Sequence, residues 1–143
     1  MASDVIQSIG QFESGEAQKQ AYDFNANIAE QNARQSELIG AQEERHQRIM
    51  GRKALGQMRS AYGASGVTME GSPMEVLAES AANAELDALN VAYARKSQAV
   101  NFRNEARAGR FAGSQAQIAG RIGAAASLMS GAEKAYAGMT KPK

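Results

Sequence analysis

Between Ala2 and Pro142 the chain contains a single proline, Pro73, and that one interruption limits how many long helices it can make. Proline removes a backbone donor and clashes with the turn before it, so helices start or stop there. The residues leading to it, Tyr62-Gly63-Ala64-Ser65-Gly66-Val67-Thr68-Met69-Glu70-Gly71-Ser72, hold three glycines and two serines. On either side the composition is helical: 29 alanines and 12 glutamines in 143 residues, both good helix formers. The sequence therefore predicts an all-α chain: a long N-terminal helix over 1–62, a Gly/Ser-rich turn over 63–72, and a second long helix over 73–143. At the second start, Gly71 closes the turn, Ser72 is placed to cap free N–H groups and Pro73 to occupy the first helical position. Glu75 completes a capping box with Ser72.

Large apolar residues are scarce. Leu, Ile, Val and Phe together number 22, about 15% of the chain, below the roughly 20% at which disorder becomes an option. The net charge of +1 lacks the self-repulsion that usually accompanies disorder. Helices of this kind bury little by themselves, so stability is expected mainly within a multi-subunit assembly, as a homo-oligomer. Cysteine is absent, which excludes disulfides and thiolate metal sites. Met1 to Ile6 lacks the charged start and apolar run of a signal peptide, and no stretch of about 20 apolar residues is present. A protein made soluble is the expectation.

Two rows recur every eleven residues. The first is Ala17, Ile28, Ile39, Met50 and Ala61; the second is Ala78, Leu89, Val100, Phe111 and Ile122. Eleven residues over three turns gives about 3.67 per turn, a nearly straight or slightly right-handed pairing. Ile28, Ile39, Met50, Leu89, Val100, Phe111 and Ile122 are accordingly the expected helix–helix interface.

Charge gives an independent indication of direction. Residues 1–44 carry a net −6, 45–63 a net +5, 64–94 a net −5 and 95–143 a net +7. Folding the chain back about Val67 brings residue i near residue 134 − i. The basic block 45–63 then faces the acidic block, while Glu30, Glu37, Glu43 and Glu44 face Arg95, Lys96, Arg103 and Arg107. A parallel or slipped pairing would oppose like charges, so the expected form is an antiparallel helical hairpin. A neighbouring subunit could satisfy the same charges.

Toward the C-terminus, Gly109/Gly113 and Gly120/Ala124 are small pairs four apart, a spacing that lets helices approach closely. This segment reads as a tightly packed helix in an oligomer, or as one that inserts into or lies on a membrane.

Little in the sequence carries chemistry. His46 is the only histidine, so the common zinc sites cannot be assembled. Glu43-Glu44 and Glu85/Asp87 read as paired or solvated helix charges, and Tyr62–Gly66 lacks the lysine of a phosphate-binding loop. No enzyme, metal or cofactor is expected. Arg103, Arg107 and Arg110 share a helical face and are candidate polyanion or partner contacts. A pI of about 8.0 and acids opposite each basic cluster favour pairing within the assembly over direct DNA binding.

The segment Met69-Glu70-Gly71-Ser72-Pro73-Met74-Glu75-Val76-Leu77, followed by Ala81 to Tyr93, resembles internal virion proteins of short-tailed bacteriophages, of the T7-like internal core protein type. The shared plan is a Gln/Ala/Arg-rich helix, a Gly-Ser turn, and a second helix ending in Gly/Ala/Gln-rich sequence. The resemblance spans roughly Arg59 to Ser114. It implies a protein packaged in the head and associated with portal, tail or larger internal virion proteins. Such a protein is expelled at infection to help form a DNA conduit through the bacterial envelope, in contact with its membrane. A fixed hairpin adaptor or lining component of a tail or secretion apparatus is the alternative.

Overall fold

The computed structural model describes residues 2–66, 68 and 70–139. Val67, the expected centre of the fold-back, lies outside the described residues, as do Met69 and the last four positions of the expected second helix. Two helices account for almost all that is described: α1, Ala2–Ala64, and α2, Ser72–Met139. They pack against each other as an antiparallel hairpin, and there is no strand among the described residues.

The turn is shaped by glycine. Gly66, after the end of α1, has φ 72°, and Gly71, before α2, has φ 73°. A residue with a Cβ pays roughly 1–2 kcal/mol for that left-handed conformation. The first backbone bonds of α2 run from Met74 and Glu75 N–H to the Gly71 carbonyl, at 3.0 and 3.3 Å. The half-in capping residue is therefore Gly71, one position before the expected Ser72. Pro73 sits at the second helical position, where its missing N–H is again no loss, and Glu75 is the acid of the first turn.

Packing divides the hairpin into two units. A terminal unit joins α1 up to Glu30 with α2 from Arg103, and a turn unit comprises Gln31–Phe102. In the terminal unit the seam is nearly backbone against backbone. A Cβ built on Gly120 would stand 2.9 Å from the Gly15 Cα and 2.9 Å from the Gln11 carbonyl oxygen. Gly113 lies against Tyr22 and Lys19, and Gly109 against Ala26. Seam positions on α2 step by seven here, through Ala106, Gly113, Gly120 and Ser127. Ser127 donates to the Gln11 side chain at 3.0 Å. In the turn unit the step is eleven: Leu77, Ala88 and Ala99 are buried on α2. On α1 of that unit Gly40 and Gly51 abut Arg95 and Ala84. Buried Ser36 donates to the Arg95 carbonyl at 3.0 Å.

The register is constant. Gly15/Gly120, Tyr22/Gly113 and Ala26/Gly109 in one unit, and Gly40/Arg95 and Gly51/Ala84 in the other, all have numbers totalling 135. The fold-back expected about Val67 gives 134. Cross-helix ion pairs follow the same logic. In the turn unit Arg48 forks onto Glu85 (Nη2–Oε1 2.7 Å) and Arg95 onto Glu43 (2.7 Å). In the terminal unit Arg110 meets Glu30 at 3.3 Å and Arg121 meets Glu16 at 3.6 Å.

Gly120→Ala is expected to lower unfolding free energy by about 1–3 kcal/mol, since its new methyl meets backbone that cannot yield. Gly56 has no atom within 4 Å of a built Cβ, so Gly56→Ala is expected to raise stability by about 0.5–1 kcal/mol. Urea melts of the two variants check both signs. The hydrogen bonds from Arg95 and Arg48 hold the Glu43 and Glu85 carboxyls below their ordinary 4.5. Stability from these pairs is therefore present above pH 4.5 and lost as pH falls through the lower folded-state values. The melting temperature should drop between pH 6 and 3, and an E43Q/E85Q double variant should show a flatter profile.

Candidate interaction surface

The groups capable of chemistry are spread along the hairpin, and several of them are engaged in holding it. Glu43 is bonded to Arg95, Glu44 lies 2.9 Å from Arg48, and Glu85 takes the other side of that guanidinium. His46 is exposed on an open groove of the turn unit beside Gln42, Arg45 and Ile49. Of the candidate polyanion contacts, Arg110 is bonded to Glu30, Arg103 is half-buried and engaged, and Arg107 is exposed. Among the described residues no three His, Asp or Glu side chains converge as a metal site would require. No described helix is long and apolar enough to cross a membrane.

What the surface does present is hydrocarbon. The rows of large apolar residues expected to form the helix–helix interface do not line the seam within the hairpin. Leu89 and Val100 in the turn unit, and Phe111 and Ile122 in the terminal unit, are 44–66% exposed. Ile28 and Met50 are exposed as well, and only Ile39, at the edge of a groove with Ser36 and Phe102, is half-buried. The physical reason is a displacement of one residue. The turn unit buries Leu77, Ala88 and Ala99, whereas the expected row runs through Ala78, Leu89 and Val100. One residue rotates a side chain by about 100° around the helix. Likewise Ala29, Gly40 and Gly51 face the partner helix where Ile28, Ile39 and Met50 were expected. Side chains the size of Leu at these positions would hold the axes at the usual 8–10 Å; glycine and alanine let them close further.

The result is a helix pair whose interior is small and whose large side chains point out. Buried apolar residues number seven among those described, six alanines and Leu77. On the outer side of α2, Leu86, Leu89 and Tyr93 are exposed in the turn unit, and Phe111, Ile118, Ile122 and Met129 in the terminal unit. In each unit these exposed apolar side chains are the candidate interaction surface. The close-approach glycines of α2 were readable from their spacing; their counterparts Gly15, Gly40 and Gly51 were not, because isolated glycines in helical sequence look merely unfavourable. Comparison with protein-family models, curated proteins and solved structures finds no match for this chain.

Substitutions on the two sides should behave oppositely. Leu89→Ser and Phe111→Ser are expected to change the stability of the isolated hairpin by no more than about 0.5 kcal/mol. Ala88→Leu and Ala106→Leu, which overfill the seam, should each cost about 1–3 kcal/mol. Chemical denaturation at low protein concentration distinguishes them.

Proposed function

We propose that this chain is a structural protein of a bacteriophage virion, an internal protein associated with portal or tail that leaves the particle at infection. In that role it helps build a conduit for DNA across the bacterial envelope. The observation that carries the reading is the inverted hairpin: small residues inside, large apolar residues outside. Such a chain is a subunit of something larger, because a hairpin with a core of alanines has most of its apolar surface still to cover. The resemblance of residues 59–114 to internal virion proteins of short-tailed phages supplies the setting.

The construction suits passage through a narrow tail. Burying apolar surface contributes roughly 25 cal/mol per Å², and alanine has little to bury, so each turn of helix separates from its partner at small cost. The ion pairs are exposed and contribute about 0–1 kcal/mol apiece. They choose partner and direction on reassembly without locking the helices together. The exposed apolar faces then provide contacts for the assembled state, to other copies, to portal, tail or internal proteins, or to the envelope.

Quantitative mass spectrometry of purified particles tests the reading. The chain should be present in DNA-filled virions and depleted from ghosts that have ejected their DNA. Equal copy number in both would instead make it a fixed adaptor or lining component, and absence from both would overturn the virion assignment.

A further inference from the structure

In the turn unit, α1 carries bases that the hairpin does not use. Residues 45–59 hold Arg45, Arg48, Arg52, Lys53 and Arg59 and no acid. The charge pattern sets the acidic block of α2 opposite them, yet only Arg48 takes a partner there, Glu85. Arg45, Arg52 and Arg59 are exposed, and among the described residues none forms an ion pair or hydrogen bond with them. The reason is the way the acids face. In the register of the seam these three arginines stand level with Asn90, Asn83 and Val76. Glu75, Glu79 and Asp87 are set about 80°, 120° and 160° round α2 from Glu85, and all three are exposed. Across the groove from Arg52 lie Ala81, Ala84 and the Glu85 that Arg48 already holds. Across from Arg59 lie Met74, Leu77 and Ala78. The neighbouring acids of α1 are engaged too, Glu43 with Arg95 and Glu44 with Arg48.

The three arginines form a row. Seven residues of α-helix fall about 20° short of two full turns, so Arg45, Arg52 and Arg59 follow one face of α1, about 10.5 Å apart and about 21 Å end to end. No single small anion bridges such gaps; the row fits a ligand that carries negative charge along its length. A DNA duplex carries one charge per about 1.7 Å of axis, and 21 Å of it is about six base pairs. The residues between the arginines on this face argue against a membrane. They are Ile49 and Gly56, where a helix lying on lipid would carry several large apolar side chains. Gly56 has no atom within 4 Å of a built Cβ, so the fold does not call for glycine there, and a glycine lets another backbone approach closely. No Phe, Tyr or Trp lies between Arg45 and Arg59, so the row offers bases nothing to stack on. What it can take is phosphate, which carries no sequence information.

We propose that the row Arg45, Arg52 and Arg59 binds double-stranded DNA through its phosphates, without sequence preference, while Arg48 stays on Glu85. The inference stands on this row alone and is independent of whether the chain belongs to a virion.

Fluorescence anisotropy of the full chain with a labelled DNA duplex of arbitrary sequence, titrated at several salt concentrations, tests it. Three phosphates neutralised give a slope of log affinity on log salt of about −2.7, a loss of roughly 40-fold between 50 and 200 mM. R45Q, R52Q and R59Q should each flatten the slope by about 0.9, and the triple variant by nearly all of it. R48Q/E85Q removes an internal pair at constant net charge and should leave the slope in place. R107Q loses the same charge from an exposed site of the terminal unit and should change the slope by less than half as much as R52Q. Circular dichroism verifies that each variant keeps its helices. Equal flattening by R107Q, or an unchanged slope in the triple variant, would overturn the row as the site. Binding to phosphatidylglycerol vesicles with none to the duplex would overturn the proposal in favour of a membrane contact. No binding of the duplex at 50 mM salt would overturn it altogether.

Discussion

The approach of two backbones at Gly15 and Gly120 is the constraint from which the terminal unit follows. Once main chain touches main chain, no side chain on either helix can enter the seam there, and the neighbouring seam positions must be small as well. That is why Ala26, Ala29 and Ala106 lie buried in this unit while phenylalanine and isoleucine stand in solvent. Close approach gains dispersion contacts along the backbone itself, and it leaves the large side chains for other surfaces. The hairpin thus separates two tasks that most helices combine: small residues hold the pair together, and large ones face away from it.

Direction and register come from charge. Exposed ion pairs contribute little to stability, yet Arg48 on Glu85 and Arg95 on Glu43 each join a basic block to the acidic block opposite it. Small flat seams discriminate poorly between registers, since one alanine resembles the next. Charged flanks remove that ambiguity, because a slip of one turn separates each pair and brings like charges nearer.

Much of this was legible in the sequence. One proline after a glycine-rich stretch divides the chain, and a fold-back about the middle of that stretch, which sets the charge blocks against each other, comes within one residue of the observed register, 134 against 135. The period of eleven is also there, in Leu77, Ala88 and Ala99. Its phase was not legible, because hydrophobicity points to Leu89 and Val100 as the interior, whereas geometry selects the alanine beside each. A rule that seeks the largest apolar residues finds the face a helix offers to others. The cap moved by one position for a related reason: Gly71, already in the left-handed turn, supplies the first carbonyl of α2 and leaves Ser72 inside the helix.

The two repeat lengths have a consequence for how such a chain can change size. On α2, seam positions return every seven residues in the terminal unit and every eleven in the turn unit. Losing a single residue from one helix would rotate everything beyond it by about 100°, replacing a glycine face with an isoleucine face. Length in this hairpin is therefore quantised. It can grow or shrink only by whole repeats, each with its own unit's step, and only when the opposing helix changes by the same amount. Two homologous hairpins of different length would be expected to differ by paired blocks, with the turn left untouched between them.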